Sequence, residues 1–285
     1  MKQLFLLFIV LIALAGVVYL YSQDFFRPPT PPERPFIIAH RGASGEAPEN
    51  TLIAIRKAME QEADFIEVDL HMTRDGELVV IHDDRLERTT NGTGMVKDQL
   101  LPDLKALDAG SWFGKEFTGE AIPTLGEVMD LINGRCYLLL ELKKHSLGYY
   151  TGMVRVVLDQ LYERKAENWV ILQSFHNPIL EELALLDPEM TAHKLLHIDL
   201  PILPLYEDGE WNMHNIFEYP SVYSLNPAYQ YLQPRFVNKA HREGYQVFVY
   251  TVNETQDMRR MTKMGVDGII TDFPGRAIRM QREGD

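Results

Sequence analysis

The sequence predicts an α/β protein, a (β/α)8 barrel of the TIM type preceded by one N-terminal transmembrane helix. Strand-like and helix-like segments alternate from Pro35 to the end of the chain. Seven or eight such strands in one domain of about 250 residues are typical of this barrel. A doubly wound open sheet is the alternative, but no glycine-rich nucleotide turn follows the first strand.

Composition and charge limit the class of partner. The 285 residues are 46% hydrophobic and 24% charged, which is ordinary for a globular protein. The formal net charge of −13 argues against a nucleic-acid partner, because phosphate backbones bind basic surfaces. The single cysteine, Cys136, excludes an intrachain disulfide.

The N-terminal segment is predicted to anchor the chain in a membrane. Residues 4–21 form a continuous apolar stretch of the length needed to cross a bilayer. Bulky residues stand where signal cleavage would need small ones, so we expect residues 1–23 to remain as a signal anchor. Lys2 favours a cytoplasmic N-terminus, which predicts a single-pass membrane protein with its folded domain outside the cytoplasm. Residues 24–35 are rich in proline and are expected to form a stiff linker.

The folded domain is expected to span residues 36–285. It begins with the strand FIIA, and the helix predicted in ENTLIAIRKAMEQEA carries apolar residues at helical spacing. The second strand, DFIEVDLHMT, alternates apolar and polar residues, and DGELVVIHDD indicates a turn followed by a third strand. Residues 84–122 are irregular and are predicted to be an insertion at the rim. Further strands, separated by helices, are predicted in CYLLLELK, WVILQS, AHKLLHI, SVYSLN, YQVFVYTV and DGIIT.

Polar side chains stand at the ends of these strands, where the active sites of barrels lie. Glu67 and Asp69 are spaced by two, as are Glu141 and Lys143, so each pair lies on one face of its strand. Three carboxylates that converge at the barrel mouth repel one another unless a cation is bound. Oxygen ligands suit a hard divalent cation, so Mg²⁺ or Ca²⁺ is expected. Taken singly, the acids could be a solvated strand face, and Glu141 with Lys143 a surface ion pair.

Two histidines and two basic residues complete this pattern. His40 and His82 end separate strands, and imidazoles suit a general acid and base because they titrate near neutral pH. Arg41 offers a planar fork for a phosphate, and Lys143 adds a point charge. With a metal ion, these residues predict phosphoryl-transfer chemistry. His40 alone could be a hydrogen-bonded strand-end residue. Residues 49–51 are interpreted primarily as the start of a helix and secondarily as part of the site.

Seven motifs follow one another within residues 36–275. They are AHRGASGEAPENT, DFIEVDLHMTRDGELVVIHDD, DAGSWFGKEFTGEAIPTLGEVM, LLLELK, LQSF, VNKAHREGYQVFVYTVN and MGVDGIITDFP. In this combination the sequence resembles the glycerophosphodiester phosphodiesterase family. The resemblance implies a TIM barrel with a small insertion after the third strand. It also implies metal-dependent hydrolysis of a small-molecule glycerophosphodiester to glycerol 3-phosphate and an alcohol.

The resemblance also implies a role for each matching residue. His40 and His82 match the catalytic acid–base pair, and Arg41 and Lys143 match positions that contact the phosphate. The metal ligands are matched by Glu67, Asp69 and Glu141. The family usually has Trp at the position of Tyr250, which is expected to line the mouth and contact the alcohol portion of the substrate. Supporting positions near the site are Glu49, Asp83 and Gln173.

Two other functions stay open at this point. The anchor and the aromatic region 200–236 are compatible with a lysophospholipase D that acts on membrane lysophospholipids. A catalytically lapsed, membrane-tethered binding module is the third hypothesis, and the complete set of histidines and carboxylates argues against it. The sequence specifies neither the oligomeric state nor the choice between Ca²⁺ and Mg²⁺.

Overall fold

The computed structural model describes residues 34–197 and 222–283. The predicted anchor, residues 1–23, and most of the proline-rich linker lie outside these residues. No helix in the described part of the chain is long and apolar enough to span a bilayer. The folded domain belongs to the unit Pro32–Asp285, whose core is a closed β-barrel.

Eight parallel strands form the barrel, which confirms the predicted (β/α)8 barrel. Together with β3, which lies outside the ring, the strands are β1 (Phe36–Ala39), β2 (Phe65–Met72), β3 (Leu78–Val80), β4 (Tyr137–Leu142), β5 (Val170–Ser174), β6 (Ala192–Leu196), β7 (Ser224–Pro227), β8 (Gln246–Val249) and β9 (Gly268–Thr271). The order around the ring is β1-β9-β8-β7-β6-β5-β4-β2, and β1 also pairs with β2, which closes it.

The third strand does not take part in the ring. Among the strands that the structure describes, β3 pairs with the far end of β2 and runs antiparallel to it, with Leu70 opposite Val80. β2 is eight residues long, so it extends beyond the mouth of the barrel, and β3 returns alongside it. The strand predicted as one of the barrel series is therefore the second arm of a hairpin. It brings the chain back towards the mouth.

Helices connect the strands and pack around the barrel. They are α1 (Leu52–Glu60), α2 (Leu101–Lys105), α3 (Leu125–Ile132), α4 (Met153–Glu163), α5 (Asn177–Leu186), α6 (Pro234–Arg242), α7 (Thr255–Met264) and α8 (Pro274–Glu283). Thr51 begins α1, where its hydroxyl accepts a hydrogen bond from the backbone N–H of Ala54. The first turn of α1 contains no acidic residue, and the Thr51 side chain satisfies one of the free N–H groups.

Two hydrophobic layers position the polar residues of β2. Ile66, Val68 and Leu70 point outwards into the layer between barrel and helices. Phe65 points inwards and packs with Phe36 and Phe248 in the smaller cluster that fills the lower barrel. The alternation of the strand therefore directs the acids of β2 into the barrel, as the sequence predicted.

Residues 84–122 have a hydrophobic cluster of their own. It contains residues of β3 and of the segment that follows, including Leu86, Val96, Leu104 and Ile122. Two short 3-10 helices and α2 are the regular elements of this segment. This cluster holds the segment in place beside the mouth, so the segment does not depend on packing into the main hydrophobic core.

Candidate active site

Three buried carboxylates meet inside the C-terminal end of the barrel. Glu67 and Asp69 come from β2, and Glu141 comes from β4 at the position paired with Asp69. One oxygen from each lies within 4.8 Å of the others. The register of the sheet thus brings together acids that are about seventy residues apart in the sequence.

Burial and mutual repulsion disturb the titration of these acids. Burial, followed by repulsion from Asp69 and Glu141, raises the pKa of Glu67 well above its usual value. Burial likewise raises the pKa of Glu141 to about 7, against the attraction of Lys143. Burial also opposes ionisation of Asp69, but Lys143 and Arg41 outweigh it and lower the pKa of Asp69. Ionisation of all three acids together is therefore unfavourable unless a further cation is bound.

The two cations lie directly against this cluster. The Lys143 ammonium is 2.9 Å from Asp69 Oδ1 and 2.5 Å from Glu141 Oε1. The Arg41 guanidinium is 3.3 Å from Asp69, and its backbone N–H donates to Glu67 Oε2 at 2.9 Å. Lys143 and Glu141 thus form a buried pair, and the surface ion pair considered from the sequence is wrong. Three carboxylates against two cations leave one uncompensated negative charge, which a divalent cation would reverse.

The ring of His40 is fixed by a carboxylate. Its Nδ1 is 2.6 Å from Asp272 Oδ1, just after β9. Ser44 Oγ donates to the same oxygen at 3.0 Å, and Asn253 Nδ2 donates to the other at 2.6 Å. Burial opposes ionisation of Asp272, but its bonds with His40 outweigh burial and lower its pKa to about 2. An ionised carboxylate only accepts hydrogen bonds, so Nδ1 carries the proton and Nε2 stays available for chemistry.

His82 has the same arrangement on the other side. Its Nδ1 is 2.6 Å from Asp83 Oδ1. Burial opposes ionisation of Asp83, but hydrogen bonds from Arg88 and His82 outweigh it and lower the pKa of Asp83 to about 2. Burial itself lowers the pKa of His82 below its usual value, against the attraction of Asp69. Both histidines therefore present Nε2 for proton transfer, each with an anionic carboxylate behind it.

Buried amides continue the polar network beneath the acids. Gln173 Nε2 donates to Glu67 Oε1 at 3.3 Å, and Gln173 Oε1 accepts from Asn226 Nδ2 at 3.1 Å. Asn226 thus fixes which end of the Gln173 amide faces Glu67. Tyr250 uses its hydroxyl to donate to Leu196 O at 2.7 Å, so contact between Tyr250 and the substrate stays a prediction.

Several residues of this network were not among the candidates from sequence. Asn50 donates to Asp69 at 2.8 Å, Asp272 orients His40, Arg88 binds Asp83, and Asn226 orients Gln173. Asn50 and Asp272 lie within motifs of the resemblance, which was the available signal for them. Asn50 also corrects the expectation for residues 49–51, because only Thr51 caps the helix.

The fold and the site together define a (β/α)8-barrel enzyme with an acid–base pair beside an acidic cluster. The glycerophosphoryl diester phosphodiesterase family model matches residues 40–276. A glycerophosphodiester phosphodiesterase of Caldanaerobacter subterraneus is 41% identical over 251 residues, which cover 87% of this chain and 98% of the relative. One from Bacillus subtilis is 36% identical and covers 85% of each chain. The chain belongs to this family and is a glycerophosphodiester phosphodiesterase, a phosphoric diester hydrolase.

Solved structures of the family have the same fold. A glycerophosphoryl diester phosphodiesterase from Silicibacter pomeroyi superimposes with a TM-score of 0.78 at 29% identity, covering 88% of this chain and 94% of that one. A phosphodiesterase of Oleispira antarctica, in complex with the product sn-glycerol-3-phosphate, superimposes with a TM-score of 0.74 at 29% identity. It covers 87% of this chain and 97% of that one.

Proposed function

We propose that this enzyme hydrolyses small glycerophosphodiesters to glycerol 3-phosphate and an alcohol, with His40 and His82 as its acid–base pair and a divalent cation at the acidic cluster. The observation that carries the proposal is the pair of Asp–His contacts, each 2.6 Å long, at the end of the barrel that holds three buried carboxylates. The glycerol 3-phosphate complex of the Oleispira antarctica structure supports the choice of substrate.

The residues of this chain suit each part of that reaction. One neutral imidazole takes the proton of the attacking oxygen at Nε2, while the other, as an imidazolium, gives its Nε2 proton to the leaving alkoxide. Asp272 and Asp83 hold the two rings in the required tautomer. Arg41 and Lys143 stand beside the cluster as fixed positive charges for the phosphate.

The donor set of the cluster fits a hard divalent cation. Glu67, Asp69 and Glu141 supply only oxygen ligands, and burial together with their mutual repulsion makes it unfavourable to ionise all three without a cation. Such an ion polarises phosphoryl oxygens and lowers the pKa of a bound hydroxyl. We propose Ca²⁺ or Mg²⁺ for this role.

A metal-rescue assay tests the proposal. Treatment with EDTA should abolish hydrolysis of glycerophosphocholine, and Ca²⁺ or Mg²⁺ should restore it. His40→Ala and His82→Ala should each abolish turnover while retaining the far-UV circular dichroism of the parent enzyme. Full activity after thorough metal removal, or in both histidine variants, would contradict the proposal.

The other two hypotheses have less support. The aromatic region invoked for a lysophospholipase D lies largely outside the described residues. Within the described part, the exposed aromatic side chains are scattered over α4 and several separate segments between the strands. A strong preference for lysophosphatidylcholine over glycerophosphocholine would favour that substrate. The lapsed binding module is set aside by membership of the enzyme family and by the two intact Asp–His pairs.

We also propose that residues 1–23 anchor the enzyme, residues 24–35 act as a linker, and residues 36–285, with the insertion at 84–122, form the catalytic domain outside the cytoplasm. The continuous apolar stretch Leu4–Tyr21 supports the anchor. Protease treatment of intact cells or spheroplasts should digest the catalytic domain if it lies outside. Protection of the domain until the membrane is permeabilised would reverse the orientation.

A further inference from the structure

Arg88 connects two halves of the candidate site. Its Nε and Nη2 donate to the two oxygens of Asp83 at 2.6 and 3.0 Å. Its Nη1 and Nη2 donate to the two oxygens of Glu49 at 2.8 and 2.7 Å. A guanidinium has five N–H donors in one plane, so two of its edges can each bind a carboxylate at once.

Each carboxylate bound by Arg88 also holds a residue of the proposed reaction. Asp83 binds His82 Nδ1 at 2.6 Å, and Glu49 accepts from Arg41 Nη1 at 2.9 Å. The resulting chain of contacts runs from His82, which follows β3, to Arg41, which follows β1. Of these five side chains only Arg88 bonds both carboxylates bidentately, so it fixes the spacing between an imidazole and a guanidinium that come from different strands.

The backbone around Arg88 is held by the insertion rather than by the site. Leu86 is buried in the hydrophobic cluster of residues 84–122, and its N–H donates to Gly94 O at 3.0 Å. The N–H of Thr90 donates to Leu86 O at 3.1 Å, which closes the turn that carries Arg88. The guanidinium therefore reaches Asp83 and Glu49 from a separately packed support.

We propose that Arg88 is a positioning residue, and that the insertion contributes to catalysis by supplying it. Arg88 holds His82 through Asp83 and Arg41 through Glu49, so that proton transfer and phosphate contact occur in one fixed geometry. This inference rests on the proposed roles of His82 and Arg41. Hydrogen bonds from Arg88 also help to lower the pKa of Glu49, against the effect of burial, which keeps that carboxylate ionised for Arg41.

Two substitutions at Arg88 and one matched control test this role. We expect Arg88→Ala to lower kcat by roughly 10- to 100-fold and to raise KM, because both connected groups lose their alignment. Arg88→Lys should restore little, since an ammonium lacks the planar fork. Arg85→Ala is the control, because Arg85 lies three positions before Arg88 and pairs with the exposed Glu87. This variant should match the parent enzyme.

Chemical rescue separates positioning from a merely structural effect. Millimolar guanidinium chloride should restore part of the kcat of Arg88→Ala, whereas urea, or sodium chloride at the same ionic strength, should not. The divalent-cation affinity, measured by calorimetry, should stay that of the parent enzyme. If Arg88→Ala fails to fold, Arg88→Gln takes its place in each of these measurements.

Two results would overturn the inference. One is a kcat of the folded Arg88 variants equal to that of Arg85→Ala. The other is a loss of kcat that guanidinium leaves unchanged. Both are judged against a parent enzyme that hydrolyses glycerophosphocholine with added metal. A parent enzyme without that activity would instead contradict the proposed function.

Discussion

A carboxylate behind each imidazole decides which ring nitrogen is available in the site. Asp272 binds Nδ1 of His40, and Asp83 binds Nδ1 of His82. Asp83 forms an ion pair with Arg88. Asp272, in contrast, accepts hydrogen bonds from His40 and from two uncharged side chains, Ser44 and Asn253. The two histidines thus differ in the charge of their surroundings, although their contacts have the same form.

Asp272→Asn is expected to lower kcat by about 10²- to 10⁴-fold, because an amide can stabilise the wrong tautomer of His40. Thermal unfolding should change little. The matched control is Asp267→Asn. Asp267 Oδ2 lies 2.7 Å from His241 Nε2, so this variant alters another Asp–His pair, at the opposite end of the barrel. Steady-state kinetics of the two variants provide the measurement, and equal kcat values would refute an orienting role for Asp272.

Buried His193 makes stability depend on pH. Burial lowers its pKa to about 3, from an ordinary value of 6.5, so the folded state keeps it neutral. Below pH 6.5 the unfolded chain takes up a proton that the folded state excludes. The free energy of unfolding contributed by His193 is therefore complete above pH 6.5 and is lost as the pH falls towards 3.

His193→Gln should remove this dependence. Between about pH 6 and 4, the slope of unfolding free energy against pH should decrease by up to about 1.4 kcal/mol per pH unit, the value for one proton. Any loss of packing shifts the whole curve without altering its slope. Urea unfolding at several pH values measures the slopes of both proteins, and parallel curves would exclude His193 as the titrating group.

At the scale of elements, the β2–β3 hairpin is what places His82. β2 extends beyond the mouth, and β3 returns antiparallel to it, so that the N–H of Ile81 donates to Asp69 O at 3.0 Å. His82 follows directly and therefore stands at the level of the acidic cluster. A parallel third strand would have placed His82 at the end of its own strand, farther around the barrel.

The loop from β1 to α1 depends on Gly42. Gly42 has a φ of +79°, and a Cβ there would lie 2.6 Å from the backbone carbon of Ala54. The close approach of α1 therefore requires the glycine. In the same loop, Arg41 has a φ of 54°, which directs its N–H to Glu67.

Gly42→Ala should destabilise the enzyme by roughly 3 kcal/mol, because backbone strain and the collision with α1 add together. Gly265→Ala is the control, since Gly265 has a φ of +82° with nothing within 4 Å of an added Cβ. We expect it to cost only about 1 kcal/mol. Chemical denaturation midpoints report both values, and equal losses would show that contact with α1 is unimportant.

At the scale of the whole molecule, the candidate site residues among those that the structure describes lie between residues 40 and 272. They come from the loop after β1, the β2–β3 hairpin and the residues that follow it, the end of β4, β5 and the loops after β8 and β9. The barrel brings them together because all of its parallel strands end at one mouth. The proposed anchor contributes none of these groups.

A truncated protein beginning at Pro32 should therefore keep the kcat/KM of the full chain for glycerophosphocholine, while moving from the membrane fraction to the soluble fraction. Ultracentrifugation and the same kinetic assay measure the two properties. A full chain that is already soluble would contradict the anchor. A truncated but folded protein without activity would show that the first 31 residues take part in the site.

The sequence by itself determined the barrel and the chemical nature of its mouth. Because side chains alternate along a strand, Glu67 and Asp69 must share one face of β2 whatever the fold is. The polar residues at the strand ends predicted His40, His82 and Glu141 as site residues. These predictions depend on local periodicity and on residue chemistry, which the chain carries at each position.

Only the tertiary structure decided which residues support that chemistry. Asp272 reaches His40 across 232 positions, and Asn226 reaches Gln173 across 53. Neither contact follows from spacing, because closure of the barrel and the register of its strands bring the partners together. The antiparallel course of β3 and the reach of Arg88 are equally non-local. The sequence thus determined what each strand end could do, and packing decided which of its neighbours hold it in place.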